Sequence, residues 1–197
     1  MSEALGISEL LCKVLVNRSI VDLDSAFSFI KPDFDKLHDP RRMKDINKGV
    51  SIIKQKITEG KKIRIIGDYD VDGVISTCLL YKALFRCTAK VDYDIPHRIQ
   101  DGYGINEDII TKAKDEGIDT LITCDNGISA INQIAYAKSL GLTVIITDHH
   151  EVPFTEDTDG NRTYKTPDAD AVIDIKQLDC NYPFYNTFRN NFVRIPE

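Results

Sequence analysis

The sequence lacks an uninterrupted apolar run of about 18 residues, the length that a membrane-spanning helix requires. Its first residues, from Met1 to Glu3 onward, also lack the basic region and apolar stretch of a secretory signal. Both absences predict a cytoplasmic protein without membrane association. A chain of 197 residues can bury one sizeable core, so a single site-bearing domain is expected.

The sequence also lacks any C-x-x-C pair of cysteines. Its five cysteines are odd in number and widely spaced: Cys12, Cys78, Cys87, Cys124 and Cys180. This pattern excludes a disulfide framework and a zinc knuckle. We therefore expect reduced thiols.

An overall positive charge is absent as well. The net charge of −6 argues against a protein that coats nucleic acid through electrostatics alone. The charges are nevertheless uneven, because Lys36 to Arg64 contain ten basic residues and three acidic ones. This basic stretch is either an exposed helix face or a strip that contacts phosphates.

Residues 1–60 carry apolar residues at helical spacing, which predicts an N-terminal helical arm. Its last helix has an apolar stripe from Met43 to Ile57 that we expect to pack on a core. After Gly60, strand-like and helical segments alternate four times, and residues 170–174 are a fifth candidate strand. The predicted fold class is α/β, a parallel sheet of about five strands with helices on both faces. Residues 61–184 form this domain, residues 155–166 an exposed loop within it, and residues 185–197 a tail.

Polar and acidic residues follow the predicted strands, and ligands bind at the carboxyl ends of strands in open parallel sheets. Carboxylates gathered there repel one another and require cations. Oxygen and imidazole donors without thiolates suit Mn²⁺ or Mg²⁺. The residues that three strand ends direct to one rim are Asp68, Asp70, Asp72, Asp125, Asp148, His149 and His150. Arg98, Gly102, Tyr103 and Gly104 follow the second strand, where the arginine is suited to contact a phosphate.

The acidic run from Asp68 to Asp72 has two other interpretations, which its spacing tests. An EF-hand loop requires Glu at its twelfth position, but this sequence has Leu79 there. An EF-hand loop also follows a helix, whereas this run follows a predicted strand. A haloacid-dehalogenase phosphatase would use Asp68 as the nucleophile and Asp70 as the acid and base. That family has Thr or Val at the position of Asp72, and it has no downstream Asp-His-His.

Four ordered motifs resemble the DHH phosphoesterase superfamily, and within it the RecJ-type exonucleases that degrade single-stranded DNA from its 5′ end. They are Asp68-Tyr-Asp-Val-Asp-Gly, Ile95-Pro-His-Arg with Asp101-Gly-Tyr-Gly, Cys124-Asp-Asn-Gly, and Thr147-Asp-His-His. The resemblance covers roughly residues 10–184.

The resemblance implies roles for the rim residues. Asp70, Asp72, Asp125 and His149 would ligate metal, and Asp68 would ligate or support the first ion, in a site that holds two ions when complete. His150, with Asp148, would act on the scissile phosphate or leaving group. Ile66 stands where other branches of the superfamily have a histidine.

The proteins that the chain resembles continue into a segment with one more metal-ligating Asp and then into a separate substrate-binding domain, and the given sequence contains neither. The predicted function is a metal-dependent 5′→3′ exonuclease on single-stranded DNA, in DNA repair and recombination. The alternatives are a non-catalytic module that binds nucleic acid or protein, and a phosphodiesterase for small substrates. Association with itself or a partner protein, through the surface left by the absent domain, is also expected.

Overall fold

The computed structural model describes residues 1–97 and 104–183. The chain divides into two compact units, and the first contains Met1–Asp39. Ser8 and Asp22 cap two of its helices, because their side chains accept hydrogen bonds from the backbone N–H groups of Leu11 and Ser25. The helices of this unit are α1 (Ser2–Leu5), α2 (Glu9–Asn17), α3 (Leu23–Ile30) and a 3₁₀ turn (Phe34–Lys36).

The second unit, Pro40–Tyr182, is built on a five-stranded parallel sheet in the order β2-β1-β3-β4-β7. This confirms the predicted fold class. The strands are β1 (Lys62–Ile66), β2 (Lys90–Asp94), β3 (Thr120–Cys124), β4 (Thr143–Asp148) and β7 (Ala171–Asp174).

Helices cover both faces of this sheet, as predicted. They are α4 (Ile46–Thr58), α5 (Val71–Arg86), α6 (Glu107–Asp115) and α7 (Ile131–Ser139), and a 3₁₀ turn at Pro40–Arg42 precedes α4. Ile122 and Ile145 face the cluster that includes α4 and α5, whereas their neighbours Leu121 and Ile146 face the cluster that includes α6 and α7. Successive strand residues therefore supply two separate cores.

Helix α4 packs on the sheet with most of the apolar stripe predicted for it, but Val50 of that stripe is 42% exposed. Met43, Ile53 and Ile57 contact the core that contains Ile65 and Ile145. The helix therefore shares a compact unit with the sheet, whereas the division made from the sequence placed it in the arm.

Several basic residues of the stretch from Lys36 to Arg64 are paired with carboxylates. Lys44 contacts Asp179 at 2.8 Å and Lys56 contacts Asp119 at 2.6 Å. Arg64, which is 6% exposed, donates to Asp92 and to Glu116. These pairs give part of the basic stretch a structural role.

The region predicted as an exposed loop contains an antiparallel hairpin of β5 (Phe154–Glu156) and β6 (Arg162–Tyr164). The Asp157 carboxylate accepts hydrogen bonds from the backbone N–H groups of Asp159 and Asn161, which closes the turn. The segment is mostly exposed, as predicted, but its backbone is regular. Among the helices of the described ranges, none has the length and apolar character needed to cross a bilayer.

Candidate metal centre

Two aspartates lie between the end of β1 and the start of α5. Asp68 is 2% exposed, and within the described part of the chain its Oδ1 has no hydrogen-bond partner. Asp70 is the N-cap of α5, and its Oδ1 accepts a hydrogen bond from the Gly73 N–H at 3.0 Å. This bond is the main cause that holds the pKa of Asp70 below its ordinary value. Asp70 is therefore an anchored carboxylate at neutral pH.

Asp125 follows β3 in a left-handed backbone conformation, with φ of 61°. Its N–H donates to the Thr147 carbonyl of the neighbouring strand at 3.1 Å, and the residue is 7% exposed. The next residue, Asn126, donates from Nδ2 to the Ile66 and Cys124 carbonyls at 3.0 Å each. The end of β3 is thus fixed to the ends of both adjacent strands.

Burial raises the pKa of Asp125, and the negative charge of Asp70 raises it further. The two carboxylates lie close together, so it is unfavourable for both to be ionised without a cation. His149 offsets this effect in part, because its Nε2 lies 2.8 Å from Asp125 Oδ1.

Asp148, the last residue of β4, organises the two histidines that follow it. Its Oδ1 accepts hydrogen bonds from the His149 and His150 N–H groups at 2.7 and 3.2 Å, and it lies 2.7 Å from His150 Nδ1. Its Oδ2 accepts a hydrogen bond from the Ile128 N–H at 2.9 Å. Burial lowers the pKa of His150, but the hydrogen bond to Asp148 and the charges of Asp148 and Asp125 outweigh burial and raise it overall. Asp148 therefore orients His150 and favours its protonated form.

Within residues 1–97 and 104–183, two groups of potential metal ligands meet at Asp125. Asp68, Asp70 and Asp125 form one group, and Asp125, His149 and His150 form the other. Within each group the donor atoms lie within 4.8 Å of one another. An Asp68 oxygen that has no hydrogen-bond partner among the described residues, and two carboxylates close to each other, are features that a bound cation would satisfy. Their oxygen and imidazole donors fit Mn²⁺ or Mg²⁺.

A thiolate ligand is disfavoured at this site. Cys124 is 1% exposed, its Sγ lies 3.2 Å from Thr77 Oγ1, and burial raises the pKa of its thiol. Neither group of potential ligands includes it.

The structure thus brings together five of the predicted rim residues: Asp68, Asp70, Asp125, His149 and His150. Asp72 lies in the first turn of α5, exposed and in neither group. Asp148 is in neither group and contacts His150 instead. Gly104 is buried with φ of +68°, and a Cβ added there would lie 3.4 Å from the Cβ of Asn126. The predicted phosphate-contacting residues Arg98, Gly102 and Tyr103 lie outside the described residues.

Sequence reasoning missed one buried carboxylate on the same rim. Asp174 ends β7, pairs in register with Asp148, and is 1% exposed. Its Oδ1 accepts a hydrogen bond from the Lys176 N–H, but its Oδ2 has no partner in the described ranges. Burial, together with the charge of Asp148, raises its pKa to about 6. Asp174 has the same signal in the sequence as the other rim residues, because it is a carboxylate at the carboxyl end of a predicted strand.

Asp174→Asn is expected to stabilise the protein at neutral pH. The pKa of Asp174 is raised from 3.8 to about 6, so the stability linked to its protonated form is lost as pH rises through about 6. We expect the substitution to raise the free energy of unfolding by about 1–2 kcal/mol at about pH 7.5 and to change it little at about pH 4. Urea denaturation across this range measures the difference, with Asp168→Asn on the exposed surface as the matched control. A difference that did not depend on pH would contradict the assignment.

The N-terminal domain of the DHH family matches residues 62–182 of the chain. The chain is 40% identical over 184 residues to the single-stranded-DNA-specific exonuclease RecJ of Bacillus subtilis, an alignment that covers 93% of this chain and 22% of the relative. It is 36% identical over 145 residues to RecJ of Escherichia coli, with coverage of 73% and 23%.

Among solved structures, the crystal structure of exonuclease RecJ bound to manganese superposes with a TM-score of 0.61 at 26% identity. It covers 73% of this chain and 34% of that one. The present chain therefore spans less than a quarter of the curated relatives it matches. The family match extends over most of the unit that carries the sheet and all the residues of the candidate site. This chain belongs to the DHH family.

Proposed function

We propose that the protein is a metal-dependent phosphodiesterase that removes nucleotides from the 5′ end of single-stranded DNA. The observation that carries the proposal is the convergence of three carboxylates and two imidazoles at one rim of the sheet. Support comes from the 40% identity to a single-stranded-DNA-specific exonuclease. We place this activity in DNA repair and recombination in the cytoplasm.

The ligand groups suit Mn²⁺ or Mg²⁺, and the two groups share Asp125. Asp68, Asp70, Asp125 and His149 would hold these ions. Bound cations of this kind lower the pKa of water and neutralise the charge of a phosphate.

The protein groups around this centre position the substrate and move protons. The Nδ1 of His150 is engaged by Asp148, which orients the ring, and His150 would donate a proton to a phosphate oxygen or to the departing oxygen. The raised pKa of His150 favours the form that can donate. Asp148 is therefore a positioning residue, and the hydrogen bonds it accepts from Ile128 and from both histidines fix the loop in which His150 lies.

The alternative function is a non-catalytic module that binds nucleic acid or another protein.

Hydrolysis of end-labelled single-stranded DNA tests these functions. We expect Mn²⁺ to support release of labelled mononucleotide from 5′-labelled strands before any from 3′-labelled strands, and EDTA to stop the release. His150→Ala is expected to reduce the rate by about 100-fold or more, with Mn²⁺ binding largely retained. Binding without cleavage would support the module instead. A rate that did not increase with strand length would indicate a small-substrate phosphodiesterase.

A further inference from the structure

The amino ends of the strands form the edge of the sheet opposite the candidate metal centre. Lys62 and Lys90 are the first residues of β1 and β2, and they pair directly in register. Like charges opposite each other on adjacent strands are unfavourable. Six residues lead from Lys62 to Asp68 of the metal centre, a distance of about 20 Å along extended chain. The fold thus places two lysines side by side, far from the metal centre, where an anion would stabilise them.

A groove of about 420 Å³ lies at this edge. Three of the residues that line it are glycines, at the turns that lead into β1, β3 and β4. Its basic residues come from three separate parts of the chain, and all of them are exposed: Lys61, Lys62, Lys90 and Lys114. We call this site the lysine groove.

The carboxylates in and beside the lysine groove are paired with other cations. Asp119 lies 2.6 Å from Lys56. Asp92 and Glu116 both accept hydrogen bonds from Arg64. These three acids therefore neutralise side chains other than the four lysines for the most part.

Two of the four lysines have no partner in residues 1–97 and 104–183. Lys90 and Lys114 form no ion pair or side-chain hydrogen bond with a residue of those ranges. Lys62 donates to the carbonyl of the C-cap of α6 at 3.1 Å, and Lys61 lies 4.0 Å from Asp119. The groove and its neighbours together hold six basic residues and three acidic ones, a net charge of +3 in a chain whose net charge is −6. The site is therefore a local concentration of positive charge on an acidic protein.

We propose that the lysine groove binds phosphate groups of a nucleic-acid strand, at a site separate from the metal centre. Ammonium groups on flexible side chains suit phosphates, and the lining residues of the described chain include no aromatic ring on which a base could stack. The exposed lysines fit an extended polyanion better than a small ligand, which binds in an enclosed and mostly apolar cavity.

This inference rests on the proposed function, because the strand is the single-stranded DNA whose 5′ end lies at the metal centre. The strand must cover at least about 20 Å to reach the opposite edge of the sheet. The lysine groove therefore contacts nucleotides behind the 5′ end, and a strand too short to span the sheet gains nothing from it.

Fluorescence anisotropy with labelled single-stranded DNA in EDTA tests the proposal. Lys90→Gln with Lys114→Gln is expected to raise the dissociation constant about tenfold at about 50 mM salt. It should also lower the slope of log affinity against log salt by about 1.4, since each phosphate contact of a single strand contributes about 0.7. Lys90→Arg with Lys114→Arg keeps both charges and is expected to bind like the wild-type protein. The matched control, Lys13→Gln with Lys48→Gln, removes the same charge from exposed residues outside the groove and should leave the slope unchanged.

Three results overturn the proposal. They are an unchanged slope in the glutamine variant of the groove, an equal loss in the control, and binding of inorganic tripolyphosphate that the groove variant abolishes while its affinity for DNA is unchanged. Circular dichroism verifies that each variant is folded. Because binding is measured without metal, a protein that binds DNA through the groove but does not hydrolyse it contradicts only the proposed function. A protein that hydrolyses DNA while its groove variants bind unchanged contradicts only the groove.

Discussion

Replacement of Asp125 by asparagine is expected to lower the affinity for Mn²⁺ by about 100-fold or more and to abolish hydrolysis of single-stranded DNA. Asp125 is the residue that both ligand groups share, so its loss affects both positions. Isothermal titration with Mn²⁺ measures the affinity, and release of nucleotide from 5′-labelled DNA measures the activity.

Asp125→Asn should raise the melting temperature of the metal-free protein and remove the increase in melting temperature that Mn²⁺ gives. The Asp125 carboxylate is buried beside that of Asp70, so its replacement by a neutral amide removes a repulsion from the metal-free protein. The melting temperature of the metal-free variant is therefore expected to rise, while the further increase that Mn²⁺ gives the wild-type protein is expected to disappear. A variant that was merely misfolded would melt lower in both conditions.

Two control substitutions define the ligand set. Asp168→Asn makes the same chemical change on the exposed surface and should leave Mn²⁺ binding unchanged. Asp72→Asn tests whether Asp72 is a metal ligand. The resemblance to DHH proteins made it a ligand, but the structure places it outside both groups. Retention of Mn²⁺ affinity in this variant is the expected result. A loss as large as that of Asp125→Asn would show that the ligand set inferred from the resemblance is the correct one.

The sequence was sufficient to predict the sheet and most of the rim because both depend on simple periodicities. Buried strands such as β1 and β3 are short apolar runs, and parallel strands bring the residues after them to the same edge. Asp70 and Asp125 could therefore be placed near each other although they are 55 residues apart.

The structure differs from the sequence-based prediction where the direction of a side chain decides whether it can reach the metal centre. Asp70 and Asp72 belong to one motif, but Asp70 caps α5 from outside the helix and Asp72 is already in its first turn. Spacing along the motif does not reveal that the helix turns the second carboxylate away from the first. The hydrogen bonds of Asp148 likewise depend on how the loop after β4 folds back, which no pattern in Thr147-Asp-His-His specifies.

The motif does contain one residue whose size, rather than its charge, decides the geometry of the site. Gly73 is in the first turn of α5, and a Cβ at this position would lie 2.6 Å from both the carbonyl carbon and the Cβ of Asp68, and closer still to the Asp68 carbonyl oxygen. Real Cβ atoms do not approach backbone this closely, so either the helix or the loop that carries Asp68 must move.

Gly73→Ala is accordingly expected to lower the free energy of unfolding by at least about 3 kcal/mol and to weaken Mn²⁺ binding, since Asp68 and Asp70 lie on the displaced loop. Helix propensity alone predicts the opposite sign, a stabilisation of about 1 kcal/mol for alanine in place of glycine within a helix. Urea denaturation and Mn²⁺ titration distinguish the expected loss of stability from the stabilisation that helix propensity predicts.

Gly117→Ala is the control, because its φ of +74° is strained for alanine but a Cβ there meets nothing within 4 Å. It should cost only about 1 kcal/mol and leave Mn²⁺ binding unchanged, whereas a stabilised Gly73→Ala would show that α5 and the Asp68 loop are not in close contact.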